Sequence, residues 1–269
     1  MSHPSLFTPH ASLFTLGRCL ATLLAVLPCF AQAASCGADR INERARVAHV
    51  HDGDTVVLGD GRKLRLIGID TPELGRDGRP AEPLAEKAAA ELRKLFADQA
   101  NVGLRLDTEP KDRYQRSLAH VFLQDGRSVE VWLLEQGLAT VFPVPPNLWN
   151  LTCYIAAERR AREARRGLWA LPGHQVTDTT ALNPGVEGVR LVRGRVLDVE
   201  ESARSLWLHL TGHVSVRVDR SDLVYFGAND PRHLLHEQVL ARGKLVAKAS
   251  GWTLHVRHPV ALQKLGARE

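Results

Sequence analysis

Three short stretches of this chain hold acidic residues and arginines at intervals that suit phosphate and metal chemistry. The first is Asp52-Gly53-Asp54-Thr55, the second runs from Arg65 to Asp70-Thr71-Pro72-Glu73, and the third is Asp112-Arg113-Tyr114-Gln115-Arg116. A hard cation such as calcium takes several oxygen ligands, and carboxylates at neighbouring strand ends can supply them. A guanidinium presents a planar fork of donors that matches a phosphate better than an ammonium does. Each stretch alone also has a plain structural meaning, since Asp-Gly-Asp is a common turn and Asp-Thr-Pro-Glu commonly starts a helix. Their occurrence together is what points to a site. His49 and His51 stand two apart on a β-like stretch, but a site of oxygen ligands leaves them as ordinary strand residues.

The patterns around these residues place them at strand ends. Arg46 to His51 alternates, Thr55-Val56-Val57-Leu58 leads into the turn Gly59-Asp60-Gly61, and Lys63 to Ile69 alternates again, which predicts a hairpin. Pro83 to Asp98 carries Leu84, Ala88, Leu92, Leu95 and Phe96 at helical spacing, with Pro83 suited to a first turn. Val102 to Leu106 and Leu118 to Leu123 read as strands. Val129 to Gln136 reads as a short helix stopped by Gly137, and Leu151 to Arg166 as a longer one closed by Gly167. Five strands and three helices in so short a stretch suit a small Greek-key barrel with helices packed on it. Residues 171–188, with Pro172 and Pro184 and no apolar period, read as a linker. Five further alternating runs between 189 and 265 predict a second small barrel.

With 269 residues and 44% hydrophobic content, the chain has room for two cores, and a net charge of +5 favours an anionic partner only modestly. Arg18, the apolar run Leu20 to Phe30 and the small-x-small Ala31-Gln32-Ala33 form the pattern of a cleaved export signal over residues 1–33, implying a periplasmic or secreted protein. About eleven apolar residues are too few to span a bilayer, so no stable membrane span is expected. Cleavage there leaves Cys36 and Cys153 as the mature thiols, which suggests one disulfide in an oxidising compartment and excludes a cysteine-based zinc framework.

The motifs His51-Asp52-Gly53-Asp54-Thr55, Arg65 through Glu73, Asp112 through Ala119 and Gly167-Leu168-Trp169, in this order over about residues 46–170, closely resemble the staphylococcal nuclease (thermonuclease) family. The resemblance implies a mainly β fold with α: a five-stranded OB-type Greek-key barrel with three helices, here after a leader at 34–45. The region 189–265 is then expected to be a second, OB-like β-barrel. It also implies a Ca2+-dependent phosphodiesterase acting on DNA and RNA, single strands preferred. Asp54 and Asp70 would be carboxylate ligands and Thr71 a carbonyl ligand of calcium. Glu73 would hold and deprotonate a water. Arg65 and Arg116 would grip the phosphate and stabilise the five-coordinate transition state. Arg113 and Tyr114 would contact a terminal phosphate, and Asp52 would support the ligands from behind.

Where the family's prototype flanks its nucleotide with tyrosines, this chain reads Thr140-Val141-Phe142-Pro143-Val144-Pro145, so its base contacts should differ. The alternative reading is a noncatalytic nucleic-acid-binding envelope protein. The presence of Glu73 argues against it, because binding alone needs no water-activating carboxylate. The C-terminal region has no comparable carboxylate and arginine set and is expected to be noncatalytic. Its Trp207, Tyr225, Phe226 and Trp252 are either core residues or stacking platforms for bases.

Overall fold

A computed structural model of the chain describes residues 1, 36–75, 78 and 80–266. Of the export signal read in residues 1–33, all but residue 1 lies outside the described residues, among which no helix is long and apolar enough to cross a membrane. The first strands are β1 (Glu43–Val50), β2 (Thr55–Leu58), β3 (Lys63–Leu66) and β4 (Gly68–Asp70). Helix α1 (Ala85–Asp98) follows, then β5 (Asn101–Arg105), β6 (Ser117–Phe122), α2 (Val129–Glu135), β7 (Thr140–Phe142) and α3 (Leu151–Glu163). Strands β1, β2, β3, β6 and β5 close into a barrel in that order, antiparallel except between β3 and β6. Every residue of β6 is buried, as a strand walled in on both faces must be.

The helices cover the barrel with the spacing their sequences show. Helix α1 buries Ala85, Ala88, Ala89, Leu92 and Phe96, one apolar stripe, and begins at Ala85 rather than Pro83 because Leu84 takes a left-handed conformation. Ser128 caps α2 by accepting from the Val131 amide at 3.3 Å. The apolar core joins Val56, Leu64, Leu66, Leu104, Val121, Leu133 and Tyr154. A disulfide between Cys36 and Cys153, whose Cα atoms are 5.9 Å apart, ties the segment before β1 to α3.

The second sheet contains β8 (Val176–Asp178), β9 (Gly188–Glu201), β10 (Ser205–Leu210), β11 (Val214–Asp219), β12 (Gln238–Lys248), β13 (Gly251–His255) and β14 (Leu262–Lys264). Strand β9 pairs with both β10 and β12, so β9, β10, β11, β13 and β12 also form a ring around a core of their own. Counting the ring strands in chain order, each barrel runs one-two-three-five-four, with its third and fifth strands parallel. The two barrels thus share one strand topology, and with the three helices on the first they make the mainly β architecture that the sequence predicts. The segment 171–188 is more ordered than a linker: β8 lies parallel to β9, and Arg193 holds Asp178 through two hydrogen bonds of 2.8 and 3.0 Å. That order comes from the partner strand, which leaves no period in the segment's own sequence.

Candidate active site

The run Lys63 to Ile69 does not continue as one strand. It breaks after Leu66, and β4 leaves the barrel to pair with β7, Asp70 opposite Thr140. Gly68 makes the break possible: its φ is 83°, and a Cβ there would lie 2.6 Å from the Tyr154 ring. The break carries Asp70 and Thr71 back toward the turn between β1 and β2. In that turn a Cβ on Gly53 would lie 2.6 Å from the Thr71 hydroxyl, so only glycine lets the two segments meet so closely.

Asp54, 3% exposed, is held from several sides. Its Oδ2 accepts from the Thr71 amide at 3.0 Å and the Thr71 hydroxyl at 2.9 Å, and its Oδ1 accepts from the Thr55 hydroxyl at 3.1 Å. Arg65 on β3 forms an ion pair with Asp54 and donates through Nη2 to Asp70 Oδ1 at 2.9 Å and the Ile69 carbonyl at 3.1 Å. These donors offset the cost of burying a carboxylate. Behind them, Asp52 Oδ1 accepts the Asp54 amide at 3.2 Å.

The third motif approaches through β6, which lies beside β3 with Leu118 opposite Arg65. Asp112 orients Arg116, accepting its Nε at 2.7 Å and its amide at 2.9 Å. Burial raises the Asp112 pKa, but the Arg116 guanidinium and the Arg116 and Tyr114 amides outweigh it and hold the carboxyl below its ordinary value. Tyr114 is 65% exposed, and its ring is flanked by the guanidinium of Arg113 at 4.7 Å and that of Arg116 at 5.7 Å.

Asp52, Asp54, Arg65, Thr71, Glu73, Tyr114 and Arg116 all line one open cleft of about 270 Å³. Asp70 and Arg113 do not line it; Asp70 faces an adjoining cavity of about 140 Å³ that shares Thr71 and Pro72 with the cleft. The Glu73 amide donates to Glu82 at 3.1 Å and the Glu82 amide donates back at 2.9 Å, which pins Glu73 at the mouth of the loop that follows. Lys63 and His51 also line the cleft. Lys63 was legible as the residue two before Arg65 on the same strand face, whereas His51 sits past the end of β1.

Asp54 and Asp70 supply hard carboxylate oxygens, and the Arg65 guanidinium between them shows that positive charge is stabilised there. These residues fit calcium. Among the described residues, the group of three carboxylate or histidine ligands whose atoms lie within 4.8 Å of one another is elsewhere, at Asp219, Asp222 and His255 in the second barrel. Its carboxylates are already paired with Arg217 and Arg257.

The staphylococcal nuclease homologue family matches residues 63–171. The thermonuclease of Staphylococcus intermedius is 36% identical over 126 residues, covering 46% of this chain and 74% of the relative. The chain belongs to the staphylococcal nuclease family. The thermonuclease of Staphylococcus hyicus is 33% identical over 140 residues, 51% of this chain and 82% of its own length. The endonuclease YncB of Bacillus subtilis is 31% identical over 128 residues, 46% of this chain and 60% of its own length. The staphylococcal nuclease match takes in Arg65, Asp70, Thr71, Glu73 and Arg116, and ends at residue 171, before β8 and the whole second barrel.

Proposed function

We propose that this hydrolytic nuclease cleaves phosphodiester bonds of DNA and RNA in a calcium-dependent reaction carried out in the cleft of Arg65, Glu73 and Arg116. The observation that supports it most is that three motifs distant in sequence bring Asp54, Arg65, Thr71, Glu73 and Arg116 to one cavity wall, with Asp70 facing the adjoining cavity. Asp54, Asp70 and the Thr71 carbonyl would hold the ion, which supplies charge neutralisation at the phosphate. Glu73 takes the proton from the attacking water, and the water's oxygen adds to phosphorus. The bond from phosphorus to the 5′ oxygen breaks, that oxygen taking a proton from solvent and leaving as a 5′-hydroxyl beside a 3′-phosphate. Arg116, aimed by Asp112, and Arg65 bind the non-bridging oxygens and stabilise the extra charge of the five-coordinate phosphorus. Arg65 bridges Asp54 and Asp70 in this structure, and its fork would turn to phosphate when those carboxylates hold an ion.

Arg113 and Tyr114 present a donor and a ring at the rim, suited to a terminal phosphate, and Asp52 steadies Asp54. The same reading has single strands or frayed ends preferred over an intact duplex. Export to the periplasm or medium is part of the same reading, supported by the Cys36–Cys153 disulfide, which persists in oxidising compartments. The test is incubation of the purified protein with single-stranded DNA, in calcium and then with excess chelator. Cleavage that stops with chelator and resumes with calcium is expected, and undiminished cleavage in chelator would overturn the reading.

A further inference from the structure

A large concavity lies away from the catalytic cleft. It has a volume of about 530 Å³ and two walls: Thr140 to Pro143, on and just after β7, and the outer face of the second barrel. Five lysines and arginines and one histidine line it, and no carboxylate does. Arg217 and Arg257 are tied to Asp219 and Asp222, and Arg242 to Glu158. Lys244 and Lys248 on β12 are exposed, and their side chains make no ion pair or hydrogen bond among the described residues. They bracket Val246 on the same strand face, roughly 13 Å apart at the rise of an extended strand.

Trp207 lies on this face too, opposite Arg217 in the β10–β11 pairing, and is half-buried, while Phe226 is in the core and Trp252 packs against it. Of the aromatic residues singled out from the sequence of this half, Trp207 is the one that lines the groove. Phe142 stands on the opposite wall. Cationic side chains along a groove with flat rings between them are what binds a single-stranded polynucleotide, because lysines take phosphates and rings stack on bases of any identity.

Shared lining residues lead from the groove to the catalytic cleft. The 140 Å³ cavity shares Thr71 and Pro72 with the cleft, and Thr140 and Val189 with the groove. The walls are also fixed to each other. Arg242 from the second barrel donates to Glu158 at 2.6 and 2.8 Å and also to the Val141 carbonyl, and Glu158 accepts the Val141 amide at 2.7 Å. A groove held open in this way binds without first having to be ordered.

We propose that this groove between the barrels is a substrate-holding tract for single-stranded DNA or RNA, carrying the strand that leaves the catalytic cleft, with Lys244 and Lys248 on phosphates and Trp207 under a base. The inference rests on the nuclease reading above and gives the second barrel its part in it. It is tested with the full chain, using a fluorescent twenty-nucleotide oligothymidylate in chelator, so that binding is read without cleavage. Lys244→Ala/Lys248→Ala should weaken binding and reduce the slope of log affinity against log salt by about 1.4, the share of two phosphate contacts on a single strand. Trp207→Ala should weaken binding about fivefold or more with the salt slope unchanged. All variants should match the unaltered protein in turnover of a dinucleotide in calcium, since that substrate is too short to reach the groove.

Unchanged oligothymidylate affinity in both variants overturns the proposal. So does a loss seen for heparin but not for oligothymidylate, which would make the groove a site for another polyanion. If the unaltered protein fails to cleave the dinucleotide while the binding losses appear as stated, the catalytic reading fails and the groove stands.

Discussion

Replacing Glu158 by alanine strands a guanidinium at the junction of the two barrels. The Arg242 side chain is 12% exposed and that of Glu158 3%, so the pair is largely withdrawn from water. The substitution removes both acceptors of Arg242 on the carboxylate and leaves the Val141 amide without its acceptor. Breaking a buried pair from one side costs about 3–5 kcal/mol, mostly as the penalty of the charge left behind. Glu158→Ala and Arg242→Ala should each lower the unfolding free energy by that amount in urea titrations followed by tryptophan fluorescence. Removing both charges with partners of similar volume, Glu158→Leu with Arg242→Met, should recover most of the loss, so the single effects are strongly non-additive. The damage should also reach the site, because Val141 on β7 faces Ile69 on β4, next to Asp70; the calcium needed for half-maximal activity should rise. Losses under about 1 kcal/mol, the size of an exposed pair, or single effects that simply add, would refute the reasoning.

Three further outcomes follow from other parts of the molecule. The disulfide spans 117 residues, so Cys36→Ser should cost roughly 4–5 kcal/mol in the chain-entropy picture, read from the urea midpoint with and without reductant; equal midpoints would remove its stabilising role. Glu130 is buried, and burial pushes its pKa from an ordinary 4.5 up to about 8 despite hydrogen bonds from the Ser128 hydroxyl and the Val121 amide. A raised carboxyl stabilises the fold fully below 4.5 and loses that contribution as pH climbs through about 8; stability should fall between pH 5 and pH 9, and Glu130→Gln should flatten the fall. Asp54→Ala should weaken calcium binding measured by calorimetry, whereas Arg116→Ala should leave it intact and lower turnover; unaltered calcium affinity in the first variant would remove Asp54 from the ligand set.

Much of this was legible in the sequence because the signals were local. The alternation in β2, β3, β10 and β11 is a property of each strand alone, and the motifs that form the cleft are short and sit at strand ends. The parts that escaped are short elements whose stability comes from distant partners. β4 and β7 have three residues each and exist through their mutual pairing and the sharp turn at Gly68. The strand in the linker, Val176–Asp178, is held by β9 and the Arg193–Asp178 ion pair. Lys244, Val246 and Lys248 could be read as one strand face, but nothing local says that this face looks across at Phe142. The Arg242–Glu158 clasp joins residues 84 positions apart and had no signature at either end.

The central claim is that Glu73 acts on the water in a cleft whose arginines stabilise the transition state. It is tested most directly by the single-turnover rate of Glu73→Gln on single-stranded DNA at saturating calcium, with calcium and DNA affinity measured on the same preparation. The account predicts a rate lower by about two to four orders of magnitude, the usual contribution of a positioned acid or base, with both affinities close to those of the unaltered protein. A rate within a few-fold of the unaltered protein, at intact affinities, would contradict it and hand the proton to another group.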